Sequence, residues 1–172
     1  ALGFGYDEMY PDDMLSLSQI GNALSDSGIK FDIVGFDACL MGTIETAYML
    51  EPYADYLVAS EEYEPGTGWN YSEWLKNLSD NTSMPTVEIG KKIVEDYING
   101  PDSSFFDSNT LSIVDLREIP YTYSKLCETM QQEEGVLDSR YSVISQARYN
   151  AKSFGDGEYE QIDIKSYLEE CG

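Results

Sequence analysis

Cys39 closes the apolar run FDIVGFDAC (31–39), with a carboxylate at Asp37 and a Gly-Thr pair at 42–43. A thiol in that position fits two chemistries. Buried, it is a small apolar filler of the kind common in cores. Where a strand ends and a helix begins, helix N-terminal amides favour a thiolate, the nucleophilic form of cysteine. Position alone leaves both open. Asp37 stands two residues before the thiol, a spacing that on a strand puts both side chains on one face. A carboxylate there opposes a thiolate, so Asp37 is not a simple activator. It either binds a cationic substrate group or caps the following turn. Histidine, the usual partner of a catalytic cysteine, is missing from all 172 residues.

The flanking sequence says what must position these groups. SLSQIGNALSDSG (16–28) predicts a helix: Ser16 caps, Gln19 completes a capping box, Leu17, Ile20 and Leu24 form a stripe, and Gly28 stops it. FDIVGFDAC reads as a strand buried on both faces, as in a parallel sheet. A helix in TIETAYMLEP, stopped near Pro52, and a strand over 56–62 follow. That order predicts an α/β layered domain. Further helices are expected in SEWLKNL, in TVEIGKKIVEDYING and around 120–132 and 138–152, with a third strand over 109–116. In open α/β sheets ligands gather beyond the carboxyl ends of the strands. This singles out DAC (37–39), SEEYEPGTGW (60–69) and DLREIP (115–120), and parallel neighbours would bring the first two to one rim.

Composition narrows the function classes. The chain has 10 basic and 32 acidic residues and a formal charge of -22, which disfavours nucleic acid and anionic membrane as partners. No apolar run is long enough to span a membrane. Cys39, Cys127 and Cys171 form no CxxC pair, so with no histidine a structural zinc site is not expected. An odd number leaves at least one free thiol. The acidic stretches YDEMYPDD and GDGEYE lack the spacing of an EF-hand. The length is read as a single domain over 1–172.

The stretch FDIVGFDACLMGTIETAYMLEPYADYLVASEEYEPGTGW (31–69) closely resembles the nucleophile region of the clostripain-like cysteine peptidases, peptidase family C11. GFGYDEMYPDDMLSLSQIGNAL upstream and SFGDGEYEQIDIKSYL downstream are similar to it too. The resemblance implies a caspase-like α/β/α sandwich with a mostly parallel sheet, whose N-terminal strands would lie before Ala1. It implies a cysteine endopeptidase that cuts after Arg and, in some members, Lys. Cys39 matches the nucleophile of the family's D-A-C motif, and Asp37 matches the acidic residue that receives the substrate's basic side chain. The family base is a histidine in a His-Gly motif after an earlier strand. It would be supplied here by an N-terminal segment or light chain, as in members nicked between the two residues. A second family carboxylate falls in the P-G-x-G-W loop, where this chain has Thr67; Glu61, Glu62 and Glu64 are nearby sources of charge, and Glu62 with Thr67 completes the expected substrate-binding set. The implied partners are a peptide or protein substrate with a basic residue, and the light chain. No cofactor is needed for thiol chemistry, no metal ligand set is assigned, and calcium is a candidate ion on family analogy. Secretion is the expected location. Two other readings stand beside the peptidase: a non-enzymatic caspase-like binding module, and a hydrolase using acidic residues.

Overall fold

In the computed structural model, the residues described are 4–5, 9–10, 14–100, 109–134, 137–155 and 161–171. The chain forms two compact units, Ala1–Pro120 and Tyr121–Gly172.

The first unit opens with α1 (Leu17–Ser27), and its cap is the one the sequence predicts. Ser16 Oγ accepts from Gln19 N at 3.2 Å, while Gln19 Oε1 accepts from Ser16 N at 2.8 Å. Two of the helix's otherwise orphaned donors are thereby satisfied. β1 (Phe31–Gly35), α2 (Ile44–Leu50) and β2 (Ala54–Ala59) form a parallel crossover, registered Phe31↔Ala54 to Gly35↔Val58. α3 (Tyr71–Asp80) and α4 (Thr86–Ile98) follow, and then β3 (Ser112–Asp115). β3 runs antiparallel to β2, registered Tyr56↔Asp115 to Ala59↔Ser112, so the strand order is β1-β2-β3.

Burial identifies β2 as the centre. Leu57, Val58 and Ala59 are at most 1% exposed, whereas β1, at the edge of the described sheet, has Asp32 and Gly35 exposed. The expectation of a doubly covered strand therefore belongs to β2 rather than β1. Side chains alternate across β2 as strand geometry requires. Leu57 and Ala59 pack with Phe36, Met41, Leu50 and Leu116, with α1 and α2 against them. Val58 packs with Trp69, Ile93, Tyr97 and Leu111 beneath α3 and α4. Helices thus cover both faces, which is the α/β/α layering.

The second unit holds most of α5 (Ile119–Glu134), then α6 (Leu137–Asn150), a short hairpin of β4 (Ser153–Phe154) and β5 (Gln161–Ile162), and α7 (Ile164–Cys171). α6 and α7 are fastened by Arg140 Nη2, which donates to Cys171 O at 2.9 Å, and by Asn150 Nδ2, which donates to Glu170 Oε2 at 2.9 Å. All three cysteines are free thiols.

Candidate active site

The crossover brings two loops to one rim. β1 ends at Gly35, four residues earlier than the sequence suggests, so Asp37 and Cys39 lie in the loop before α2 rather than on a strand. The loop after β2, residues 60–70, lies beside it because β1 and β2 are parallel and in register. Leu40 N donates to Glu62 O at 3.1 Å, and Gly42 N donates to Ser60 O at 2.7 Å. Glu64 N donates to Cys39 Sγ at 3.3 Å, and Cys39 is exposed. Among the described residues nothing buries the thiol. The amide on the sulfur comes from the second loop, since α2 starts only at Ile44 with Thr43 as its cap. An N–H aimed at sulfur stabilises negative charge there.

Two backbone features fix this geometry. Leu40 has φ 62, in the left-handed region that non-glycine residues rarely occupy. Such strain costs about 1–3 kcal/mol and persists only where surroundings over-determine it. Here the two inter-loop hydrogen bonds and the buried Leu40 side chain, 6% exposed, do so. Gly42 leaves no room for a side chain: a Cβ would sit 2.8 Å from Ser60 C and 2.9 Å from Glu61 N. Those are backbone atoms of the facing loop and cannot rotate away. Gly42→Ala is expected to destabilise the protein by about 1–3 kcal/mol, read as a lower urea midpoint.

Asp37 anchors the far end of the second loop. Trp69 N donates to Asp37 Oδ1 and Oδ2 at 3.1 Å each, and Tyr71 Oη donates to Oδ2 at 2.9 Å. Burial, followed by the bond to Asp37, pushes Tyr71 up to about 12, so its hydroxyl stays a donor. Gly68, at φ 68, lets the loop pass so close that a Cβ there would lie 2.6 Å from Asp37 Oδ2. A carboxylate offers about four acceptor positions, so these contacts leave Asp37 capacity for a further donor.

Behind Asp37 lies Glu64, 8% exposed. Its Oε1 accepts from Trp69 Nε1 at 3.4 Å, and its Oε2 is sealed from solvent and faces no donor. Its carboxyl is pushed up to about 8. Burial is the main cause, the neighbouring Asp37 adds to it, and the Trp69 indole N–H works the other way.

The other expected site residues divide between framework and surface. Glu62 is half-buried; its N–H donates to Ser60 Oγ at 3.0 Å and to Thr110 Oγ1 at 3.1 Å, and its Oε1 accepts from Tyr63 N at 2.9 Å. Glu61 Oε1 accepts from Ser112 Oγ at 2.7 Å. Thr67 is exposed. The segment 115–120 does not join the rim. Because β3 is antiparallel, its first residue, Ser112, pairs with Ala59, the last of β2, and Thr110 reaches Glu61 and Glu62 there. Sequence reading gave no role to Thr110, Ser112, Trp69 or Tyr71, although Trp69 closes the 60–69 loop it singled out. The GTGW turn beside a tyrosine was a usable signal for the last two; nothing short of strand direction pointed to the first two.

A family model for the clostripain family matches residues 2–169. The chain is 39% identical over 66 residues to clostripain of Hathewaya histolytica, a match that spans 36% of this chain and 12% of clostripain. Among solved structures it is similar to a secreted C11 cysteine protease of Bacteroides thetaiotaomicron, iotapain, with TM-score 0.65, 20% identity, and 91% of this chain and 41% of that one covered. It is also similar to a clostripain from the same species in complex with a peptide inhibitor, with TM-score 0.60, 17% identity, and 99% and 69% covered. At those identities the structural likeness shows the fold. The chain spans less than half of iotapain and a small part of clostripain. The mixed sheet flanked on both faces, the D-A-C loop at its rim and a family match running almost from end to end converge: the chain belongs to the clostripain family.

Proposed function

We propose that the protein is a cysteine endopeptidase that cleaves after basic residues, with Cys39 as its nucleophile. The observation that carries this reading is the exposed Cys39 thiol at the sheet's rim, with the Glu64 N–H on its sulfur and Asp37 in the same loop. The family membership and the inhibitor bound to one similar protein support it. The thiolate attacks the scissile carbonyl and forms a thioester while the amine leaves with a proton; water then hydrolyses the thioester and frees the thiol. The proton carrier is a histidine from an N-terminal segment or light chain, since these 172 residues contain none. Asp37 receives the substrate's Arg or Lys side chain. Its donors, Trp69 N from the second loop and Tyr71 Oη from α3, fix its orientation, and a cation entering a partly buried site needs a compensating carboxylate. Glu62 is the weaker candidate for that role, because its carboxylate turns back onto Tyr63 N. Thr67 offers a hydroxyl at the surface rather than a second charge.

Thiol chemistry needs no cofactor. The acidic stretches read against calcium fall largely outside the described residues, and among the described residues no group of three or more His, Cys, Asp or Glu is arranged to hold a metal ion. No step is assigned to calcium. Among the described residues no helix is long and apolar enough to cross a membrane. One similar protein is described as secreted, and we extend that location to this one.

These 172 residues by themselves are expected to show no peptidase activity, and adding the histidine-bearing segment is expected to restore cleavage after Arg or Lys in a fluorogenic peptide panel. Turnover by a sample verified to lack that segment would overturn the shared-site mechanism. A complete protein that binds peptides without cutting them would instead make it a binding module.

A further inference from the structure

Glu64 occupies a position the proposed mechanism does not use. Its backbone N–H is the donor to Cys39 Sγ, and its side chain points inward from the same residue. That side chain is held by the Trp69 indole, and the Trp69 backbone N–H in turn holds Asp37. One residue therefore joins the nucleophile's donor to the carboxylate proposed for the substrate's cation. Its Oε2 is sealed from solvent and faces no donor, so it hydrogen-bonds only as a protonated acid, to Asp37. An ionised carboxylate there would stand unpaired beside Asp37, with the sulfur of Cys39 on its own N–H, an arrangement that costs several kcal/mol. The titratable groups around it are Asp37 and Cys39 from the first loop, Tyr71 from α3 and Tyr97 from α4. Each of these can only become negative, so none favours ionised Glu64.

We propose that Glu64 is a positioning residue for the nucleophile: seated as a neutral acid against the Trp69 indole and beside Asp37, its side chain fixes the backbone N–H that donates to Cys39 Sγ. The inference rests on the reading of Cys39 as the nucleophile. The neutral form is the working form. The carboxyl's shift up to about 8 keeps it protonated through neutrality. Ionisation above that pH places a second negative charge beside the sulfur and loosens the seat. Glutamine imitates the neutral acid in size and in its carbonyl acceptor for the indole N–H. Aspartate keeps the acid but is too short to reach the seat, and alanine removes it.

The test is the rate at which iodoacetamide alkylates Cys39 between pH 5 and 9 in wild type, E64Q, E64D and E64A. It is read by mass mapping of the peptide containing residue 39, so that Cys127 and Cys171 do not contribute. We expect E64Q to match wild type within about twofold up to pH 7, and to react faster than wild type at pH 9, where Glu64 has ionised. E64A and E64D should react about tenfold slower at pH 7, with their profiles moved toward alkali, a change equivalent to one charge-assisted hydrogen bond. Wild-type rates in folded E64A or E64D, or an E64Q as slow as E64A, would overturn the proposal. Superposition of wild type and E64Q through pH 9 would overturn it as well, because the neutral acid would then have no special role. If E64A does not fold by circular dichroism, E64D decides. Alkylation reads the sulfur without turnover. Its outcome is therefore separate from that of the peptidase reading, which fails if the complete protein keeps its activity without Cys39.

Discussion

Cys39→Ala in the complete protein is expected to lower kcat/KM for peptide cleavage by at least about 10⁴-fold while leaving the fold unchanged. The size follows from what is removed. No thioester can form without the sulfur, and what survives is positioning and oxyanion stabilisation for attack by water. Little structural penalty accompanies it, because the side chain is exposed and packs no core. Losing the Glu64 N–H···Sγ contact leaves a donor at a partly open rim, within reach of water. Two measurements check this: hydrolysis of an Arg-containing fluorogenic peptide, and thermal melting. Near-normal hydrolysis by the variant would remove Cys39 from the mechanism and move attention to the carboxylates. A collapsed melting temperature would show instead that the thiol is structural.

Asp37→Asn carries the second large effect. The amide oxygen still accepts from Trp69 N, so the loop stays anchored, but the negative charge is gone. A substrate guanidinium then enters a half-buried site with no charge to meet it. Removing one partner of such a pair costs about 2–5 kcal/mol, so kcat/KM for Arg at the cleavage position should fall about 30-fold or more. A neutral residue at that position should be cleaved within about threefold of the wild-type rate. That split separates specificity from general damage. An equal loss on both substrates would mean that Asp37 works only as the loop anchor seen in its bonds to Trp69 and Tyr71.

Much of the first unit was legible because its signals are local. The Ser16–Gln19 capping box needs four residues and is read directly from them. The apolar run of β2 and the apolar positions of α4 need only a short window. The cysteine's importance came through resemblance, since spacing alone left the thiol with two readings. What sequence reading missed is long-range. It carried β1 four residues too far because Phe36 and Ala38 are as apolar as a strand would be, yet Phe36 leaves the strand to pack into the core beside Phe4. It singled out 115–120 as a ligand-site candidate because strand direction is not encoded in a strand's own residues; the antiparallel β3 puts Thr110 beside the second loop instead. The donor to Cys39 Sγ came from a residue 25 positions away. No periodicity reports such a contact.

That distance has a consequence for how the chain matures. The sulfur's donor and the anchor of Asp37 exist only after β1 and β2 have paired through their crossover, a non-local step that forms slowly compared with local helices. A chain emerging from synthesis has its thiol long before that thiol has its amide donor. On the proposed function, cleavage therefore waits on completion of the sheet. An unfinished molecule holds the thiol but neither the Glu64 N–H on its sulfur nor the oriented Asp37.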